Sequence, residues 1–250
     1  MSASREQHAP SSARPAAARP ITLASYNIHR CIGLDGRQDP DRIREVLRLL
    51  DADVIALQEV EVSPGAPDLL EFFCEASDWR PVRGITLRRA SGDYGNAVLT
   101  RLPVRKVHRQ DLSFRQREPR GALHLDLDSD GPALRVVATH FGLRPVERRT
   151  QAEILASELE AAARRADAPE VTVLMGDFNE WFLWGRALRR LAGRFLPAPA
   201  PATFPARRPL FSLDRIWVTR GVRSCKSEAV RTPLTRIASD HLPLRASLRL

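Results

Sequence analysis

The chain has 250 residues, a 43% apolar composition, three cysteines and a formal net charge of +9. That length and apolar share allow a sizeable core, and no apolar run approaches the ~18 residues that a membrane-spanning helix needs. Cys31, Cys74 and Cys225 form no CxxC pair and are odd in number, which argues against zinc clusters and a disulfide framework and points to a reducing cytoplasm.

The first twenty residues, rich in Ala, Pro, Ser and Arg, lack the apolar stretch of a signal peptide and read as a disordered leader. ITLASYNI from Ile21 onward reads as a strand. Asp39-Pro40 opens a helix, with Asp39 as N-cap and Ile43, Val46, Leu47 and Leu50 on one face. DVIALQEV (53–60) is a short buried strand and LLEFFCEA (69–76) a helix. Consecutive strands are expected around 80–87, 95–100, 103–110, 121–128 and 134–140, then a long helix over 146–166, a buried strand at VTVLMG (171–176) and a helix over 184–193. A Pro-rich loop (197–209) leads to strands at LDRIWV (213–218) and LPLRASLRL (242–250). Strand–helix–strand thus occurs twice, around a strand meander. That order predicts an α/β domain over 21–250, with two mixed sheets face to face and helices outside.

Several of these strands end in polar residues that a core strand does not need. Asn27 and Glu59 follow apolar runs, His140 ends LRVVATH, Asp177 and Asn179 follow VTVLMG, Asp214 sits in LDRIWV, and Asp240-His241 precede the last strand. Ligands of α/β sheets bind beyond strand ends. Oxygen donors from Asn, Asp and Glu suit Mg2+ or Mn2+ rather than zinc, and histidines can donate to a phosphoryl oxygen or move protons. Taken singly, Asn27 also serves as a turn cap and Glu59 as a surface residue. The dense GDFN and SDH segments are harder to explain without a site, because unpartnered buried polar groups cost about 1–3 kcal/mol each. No GxSxG, GxxxxGK[ST] or GxGxxG segment occurs, so neither a serine nucleophile nor a nucleotide cradle is indicated.

YNIH, LQEVE, GNAVLTRLP, ATHFG, GDFNE, LDRIWV and SDHLP, in this order from Ile21 to Leu250, resemble the endonuclease/exonuclease/phosphatase superfamily. It includes deoxyribonuclease I, AP endonucleases, neutral sphingomyelinases and inositol-polyphosphate 5-phosphatases. The resemblance implies a four-layer α/β sandwich and a metal-dependent phosphoesterase. It implies Asn27, Glu59 and Asp240 as metal ligands, Asp177 as the group that readies water, and Asn179 as its partner at the phosphate. His241 is then the histidine that stabilises the transition state and Asp214 the carboxylate holding it. His140 matches a histidine of the nuclease I, sphingomyelinase and phosphatase branches, and Asn96 and Arg120 are implied phosphate contacts.

The segment Asn27-Ile28-His29-Arg30 departs from the Asn-x-Asn/Asp-Gly of AP endonucleases, so a lipid or small-phosphoester substrate is expected ahead of DNA repair. A nuclease is the alternative, and a non-catalytic binding module on the same fold is a further one. The positive charge is almost wholly arginine, which suits a weak contact with an anionic surface or merely reflects compositional bias. His29 reads as structural or peripheral. Trp181, Phe182 and Trp184 are expected to staple their loop to the core, the other options being base stacking or lipid contact. Arg207 and Arg208 either read a headgroup or are merely solvated. A monomer is expected.

Overall fold

A computed structural model describes residues 19–63, 65, 67–90, 92–196, 200–219, 222 and 224–250. Residues 1–18 of the expected leader and 197–199 of the Pro-rich loop lie outside the described residues. The chain begins with β1 (Ile21–Asn27), α1 (Pro40–Leu50) and β2 (Val54–Val62), the two strands lying parallel and adjacent. α2 (Leu69–Cys74) leads into the strands β3 (Arg80–Arg89), β4 (Gly92–Thr100), β5 (Val104–Asp111) and β6 (Gly121–Leu127). The strand–helix–strand unit then recurs as β7 (Leu134–His140), α3 (Pro145–Ala163) and β8 (Val171–Asp177), again parallel neighbours. α4 (Arg186–Ala192), β9 (Asp214–Val218), β10 (Ser224–Ala229), α5 (Thr235–Ala238) and β11 (Leu244–Arg249) complete the order. The sheets run β10-β11-β1-β2-β4-β3 and β5-β6-β7-β8-β9.

Side-chain alternation builds the layers. Inward residues of the first sheet (Leu23, Val54, Ala56, Val98) meet those of the second (Leu125, Val136, Val173, Met175, Ile216) in a shared core. The outer face of the first sheet packs Tyr26, Ile55 and Leu57 under Ile43, Val46 and Leu47 of α1. The outer face of the second packs Val137, Leu174 and Trp217 under α3 and α4. Helix, sheet, sheet, helix is the four-layer α/β sandwich expected from the sequence. The α1 start is also as read: the Asp39 side chain accepts from Arg42 N at 3.0 Å, Pro40 sits in the first turn, and the expected face is buried.

β10 escapes the sequence pattern. SCKSEA lies at the sheet edge, paired among the described residues only with β11 and partly exposed on both faces, so it has no apolar alternation to reveal it.

His108 and His124 face each other across β5 and β6, with ring centroids 5.4 Å apart. His124 donates from Nε2 to Gln110 Oε1 at 3.0 Å. Burial, then His108 and Arg135, press its pKa down to about 3 from the ordinary 6.5, against the opposing pull of Asp126. A depressed folded value means the unfolded chain takes up a proton that the native state refuses, so stability present above pH 6.5 is lost as pH falls toward 3. Urea unfolding of His124→Gln should therefore lose less stability between pH 6.5 and 4, by roughly 1.4 kcal/mol per pH unit. An unchanged acid slope would show that His124 is not the group responsible.

Candidate active site

The polar groups singled out in the sequence lie where inward-facing positions run out at one end of both sheets. Along β1 the inward series Leu23, Ser25 ends in Asn27. Along β7 it ends in His140, along β8 in Asp177, and β9, antiparallel to β8, begins with Asp214. Register sets the last three side by side, His140 opposite Asp177 and Asp177 opposite Asp214. Period-two alternation therefore carries the apolar core straight into a row of polar side chains. Gly176, just before Asp177, has φ +147°, and a Cβ there would collide with the Thr139 carbonyl, so the strand needs glycine at this step. Glu59 reaches the same end through an irregularity in the β2–β4 ladder between Leu57 and Val60, with its own φ at 56°.

The two sheets meet through Asn27. Its Nδ2 donates to Asp177 Oδ2 at 3.1 Å and to Glu59 Oε1 at 3.2 Å, while its Oδ1 accepts from His29 N at 3.0 Å. Asn27, expected among the oxygen ligands, thus turns its amide nitrogen to the carboxylates and spends a lone pair on its own turn. Asp177 Oδ1 accepts from Asn179 N at 2.8 Å, with Asn179 held at φ 49°. The Asn179 carboxamide lies 3.0 Å from His140 Nε2 and donates to the Phe141 carbonyl at 2.9 Å.

His140 and His241 flank Asp177 in opposite charge states. Each has Nε2 3.6 Å from Asp177 Oδ2. Arg120 Nη1 donates to His140 Nδ1 at 2.9 Å, and Asn179 Nδ2, also a donor, lies 3.0 Å from Nε2, so both ring nitrogens face donors. Burial, then Arg120, then His241 push His140 well below the usual imidazole range, and it is neutral. His241 donates from Nδ1 to Asp214 Oδ2 at 2.9 Å. Burial disfavours its charge, but the Asp214 and Asp177 carboxylates outweigh burial and lift it to about 10, making it an imidazolium. Burial pushes the Asp177 carboxyl up to about 6, with His241 pulling the other way.

A cavity of about 410 Å³ opens over these groups, lined by Asn27, Glu59, Arg120, His140, Asp177, Asn179, Asp240 and His241 among others. Asp214, with no exposed surface, sits behind His241. Asn96 does not reach this cavity. It donates to the Gly121 carbonyl at 3.3 Å and lines an adjoining cleft of about 400 Å³, which shares Arg120. His29 lies at the edge, 3.9 Å from Asp240, in keeping with a peripheral role.

Two positioning residues were silent in the sequence. Thr203 Oγ1 donates to Asp214 Oδ2 at 2.6 Å, and Ser239 Oγ donates to the Asn27 carbonyl at 2.7 Å and accepts from His241 N at 3.3 Å. Ser239 could have been found by its place beside Asp240-His241. Thr203 lies in a Pro-rich loop that carries no such sign.

The expected staple of Trp181, Phe182 and Trp184 is corrected. Trp181 packs edge-on to Phe211 and Phe204, at 4.7 and 5.7 Å, but Phe182 is 58% exposed and Trp184 69%. The room beneath the loop is filled by Glu180. Its carboxylate pairs with buried Arg148 at 3.3 Å and lies so close under Gly185 that a Cβ there would strike it.

The donors at the mouth also bear on a metal. Asp177, Asp214 and His241 bring one candidate ligand atom each within 4.8 Å of one another, yet there the imidazolium already bonds Asp214 and faces Asp177. Glu59 and Asp240 have no arginine or lysine within ion-pairing distance among the described residues. Both offer hard oxygen donors to the cavity, which fits a divalent cation of the magnesium type.

Known proteins agree with this architecture. YbhP, an uncharacterized protein of Escherichia coli K12, is 33% identical over 248 residues, spanning 91% of this chain and 96% of YbhP. The crystal structure of an endonuclease/exonuclease/phosphatase from Beutenbergia cavernae superposes with a TM-score of 0.73 at 22% identity, covering 93% of this chain and 72% of that one. The mannosyl-6-phosphatase Bt3783 of Bacteroides thetaiotaomicron gives 0.70 at 18% identity, covering 92% and 100%. At these identities the two structures share the fold. The family model for the Endonuclease/Exonuclease/phosphatase family matches residues 24–241. The order of motifs, the layered sheets and this match together place the chain in the endonuclease/exonuclease/phosphatase family.

Proposed function

We propose that the chain is a divalent-metal-dependent hydrolase that cleaves a phosphate ester by in-line attack of water, with a lipid or small phosphoester as substrate. The observation that carries this reading is the pairing of opposite protonation tasks within one cavity. Asp177, lifted to about 6, is placed to take a proton from water near neutral pH. His241, held charged by Asp214, is placed to donate from Nε2 to a phosphoryl oxygen as negative charge builds there.

The other residues divide the remaining work. Neutral His140 and Asn179, in contact through Nε2 and Nδ2, line the side of the cavity that would face the phosphate. Arg120 fixes His140 and, paired with Glu118 at 3.0 Å, lines the cavity wall. Glu59 and Asp240 would hold the cation, Mg2+ or Mn2+, with Asn27 fixing Glu59 and Asp177. The bound ion would supply electrostatic stabilisation of the phosphoryl oxygens. Asn96, in the adjoining cleft, is placed for a more distant part of the substrate.

A panel of phosphomonoesters, phosphodiesters, phospholipids and plasmid DNA, with Mg2+ or Mn2+ and with EDTA, tests this. Turnover that EDTA abolishes is expected, falling about 10²–10⁴-fold in Asp177→Ala and His241→Ala. No turnover of any substrate, or variants as active as the parent, would remove the catalytic reading. The net charge of +9 favours the nuclease alternative; it requires plasmid or oligonucleotide cleavage that falls steeply with salt.

A further inference from the structure

We propose that the loop from Trp181 to Trp184 and the arginines around it dock the mouth of the cavity onto an anionic phospholipid bilayer. This deepens the phosphoesterase reading and rests on it for the substrate, though not for the docking itself.

The loop leaves the site one residue after Glu180, and Trp181 lines the same cavity as His140, Asp177 and His241. Beyond it, Phe182, Leu183 and Trp184 are 58%, 66% and 69% exposed, with the Phe182 and Trp184 rings 5.7 Å apart. Leu143 lines the cavity and is 67% exposed, and Leu210 is 74% exposed in the segment whose Phe204 and Phe211 hold Trp181. Large apolar side chains gathered at the rim of a polar pocket mark an interaction surface.

Charge identifies the occupant. From Trp181 to Leu213 the sequence contains six arginines and no Asp or Glu. Arg186, Arg207 and Arg208 are exposed and form no ion pair among the described residues. Tryptophan, phenylalanine and leucine beside unpaired arginine match the headgroup boundary of an anionic bilayer, where rings enter the acyl margin and guanidinium groups stay among the phosphates. Docked in this way, the cavity faces the plane in which lipid phosphates lie. No described helix is long and apolar enough to cross a membrane.

Sedimentation with phosphatidylglycerol-rich vesicles and with pure phosphatidylcholine vesicles tests this, using the full chain and a Phe182→Ser/Trp184→Ser variant. Both replaced side chains are solvent-exposed and lie outside the proposed catalytic set, and a matching circular dichroism spectrum confirms the variant's fold. The parent should bind the anionic vesicles, more weakly with added salt, and the variant about tenfold or more weakly. Turnover of a soluble phosphoester should be equal in the two. Equal vesicle binding by parent and variant, or no binding by the parent, overturns the proposal. So does binding of single-stranded oligonucleotide that depends on the same two residues, with vesicles ignored. If vesicle binding is lost in the variant while neither protein hydrolyses any phosphoester, docking is supported and the catalytic reading fails on its own.

Discussion

Replacing Asp177 with asparagine should remove about 10²–10⁴-fold of the turnover while leaving the fold no less stable than the parent at pH 8. The two halves of that expectation share one cause. Burial raises the folded pKa of Asp177 to about 6 from 3.8, so its charged form is less favourable in the native state than in the unfolded chain. For a carboxyl raised in this way, the favourable contribution exists below 3.8 and is lost as pH climbs through about 6. Above that, the native protein carries a buried charge at a cost on the order of 3 kcal/mol. Asparagine removes the charge, keeps an oxygen for Asn179 N, and gives up the donation from Asn27 and the attraction to His241. Urea unfolding in EDTA should show the variant gaining on the parent from pH 4 to pH 8. An active variant, or one destabilised equally at every pH, would contradict the assignment.

Asp214→Ala should cost both stability and activity. Asp214 is fully buried, accepting from Thr203 and from the His241 imidazolium. Removing one partner of such a pair leaves the other charge uncompensated, typically at about 3–5 kcal/mol. The raised His241 pKa fixes the pH dependence. Its stabilising contribution is complete below 6.5 and disappears as pH rises through about 10. The gap between parent and Asp214→Ala should therefore be wide at pH 6 and narrower at pH 10.5, as read by urea unfolding. Turnover should fall by roughly a hundredfold or more, because the imidazolium loses both its orientation and its charge. A gap that is the same at both pH values would mean that Asp214 does not hold a charged His241.

Both expectations begin from residues visible in the sequence. Asp177 and Asp214 stood out because a polar side chain at the end of an apolar strand has no packing reason to be there. The alternation that exposes this also fixes which face the residue joins, so the layers, and the gathering of these polar groups at one end of the sheets, are legible in the sequence. What escaped depends on contacts between distant segments. Thr203 meets Asp214 only because the Pro-rich loop returns over β9, and Ser239 holds Asn27 across most of the chain. Asn96 shares the inward face with Val98, but its place in β4 puts it in the neighbouring cleft. The rings after Asn179 have the composition of core material, but the ion pair of Glu180 with Arg148 lies beneath their loop.

The hydrogen bond from Asn27 to Asp177 joins side chains carried by separate sheets. The pocket floor is therefore a seam, and its width is the thickness of the apolar layer between the sheets. Close-packed interiors resist compression and stretching alike, so the gap between these polar groups cannot adjust to a larger or smaller guest. Discrimination among guests then falls to the rim, where chain can be rewritten without altering the dimensions of the floor.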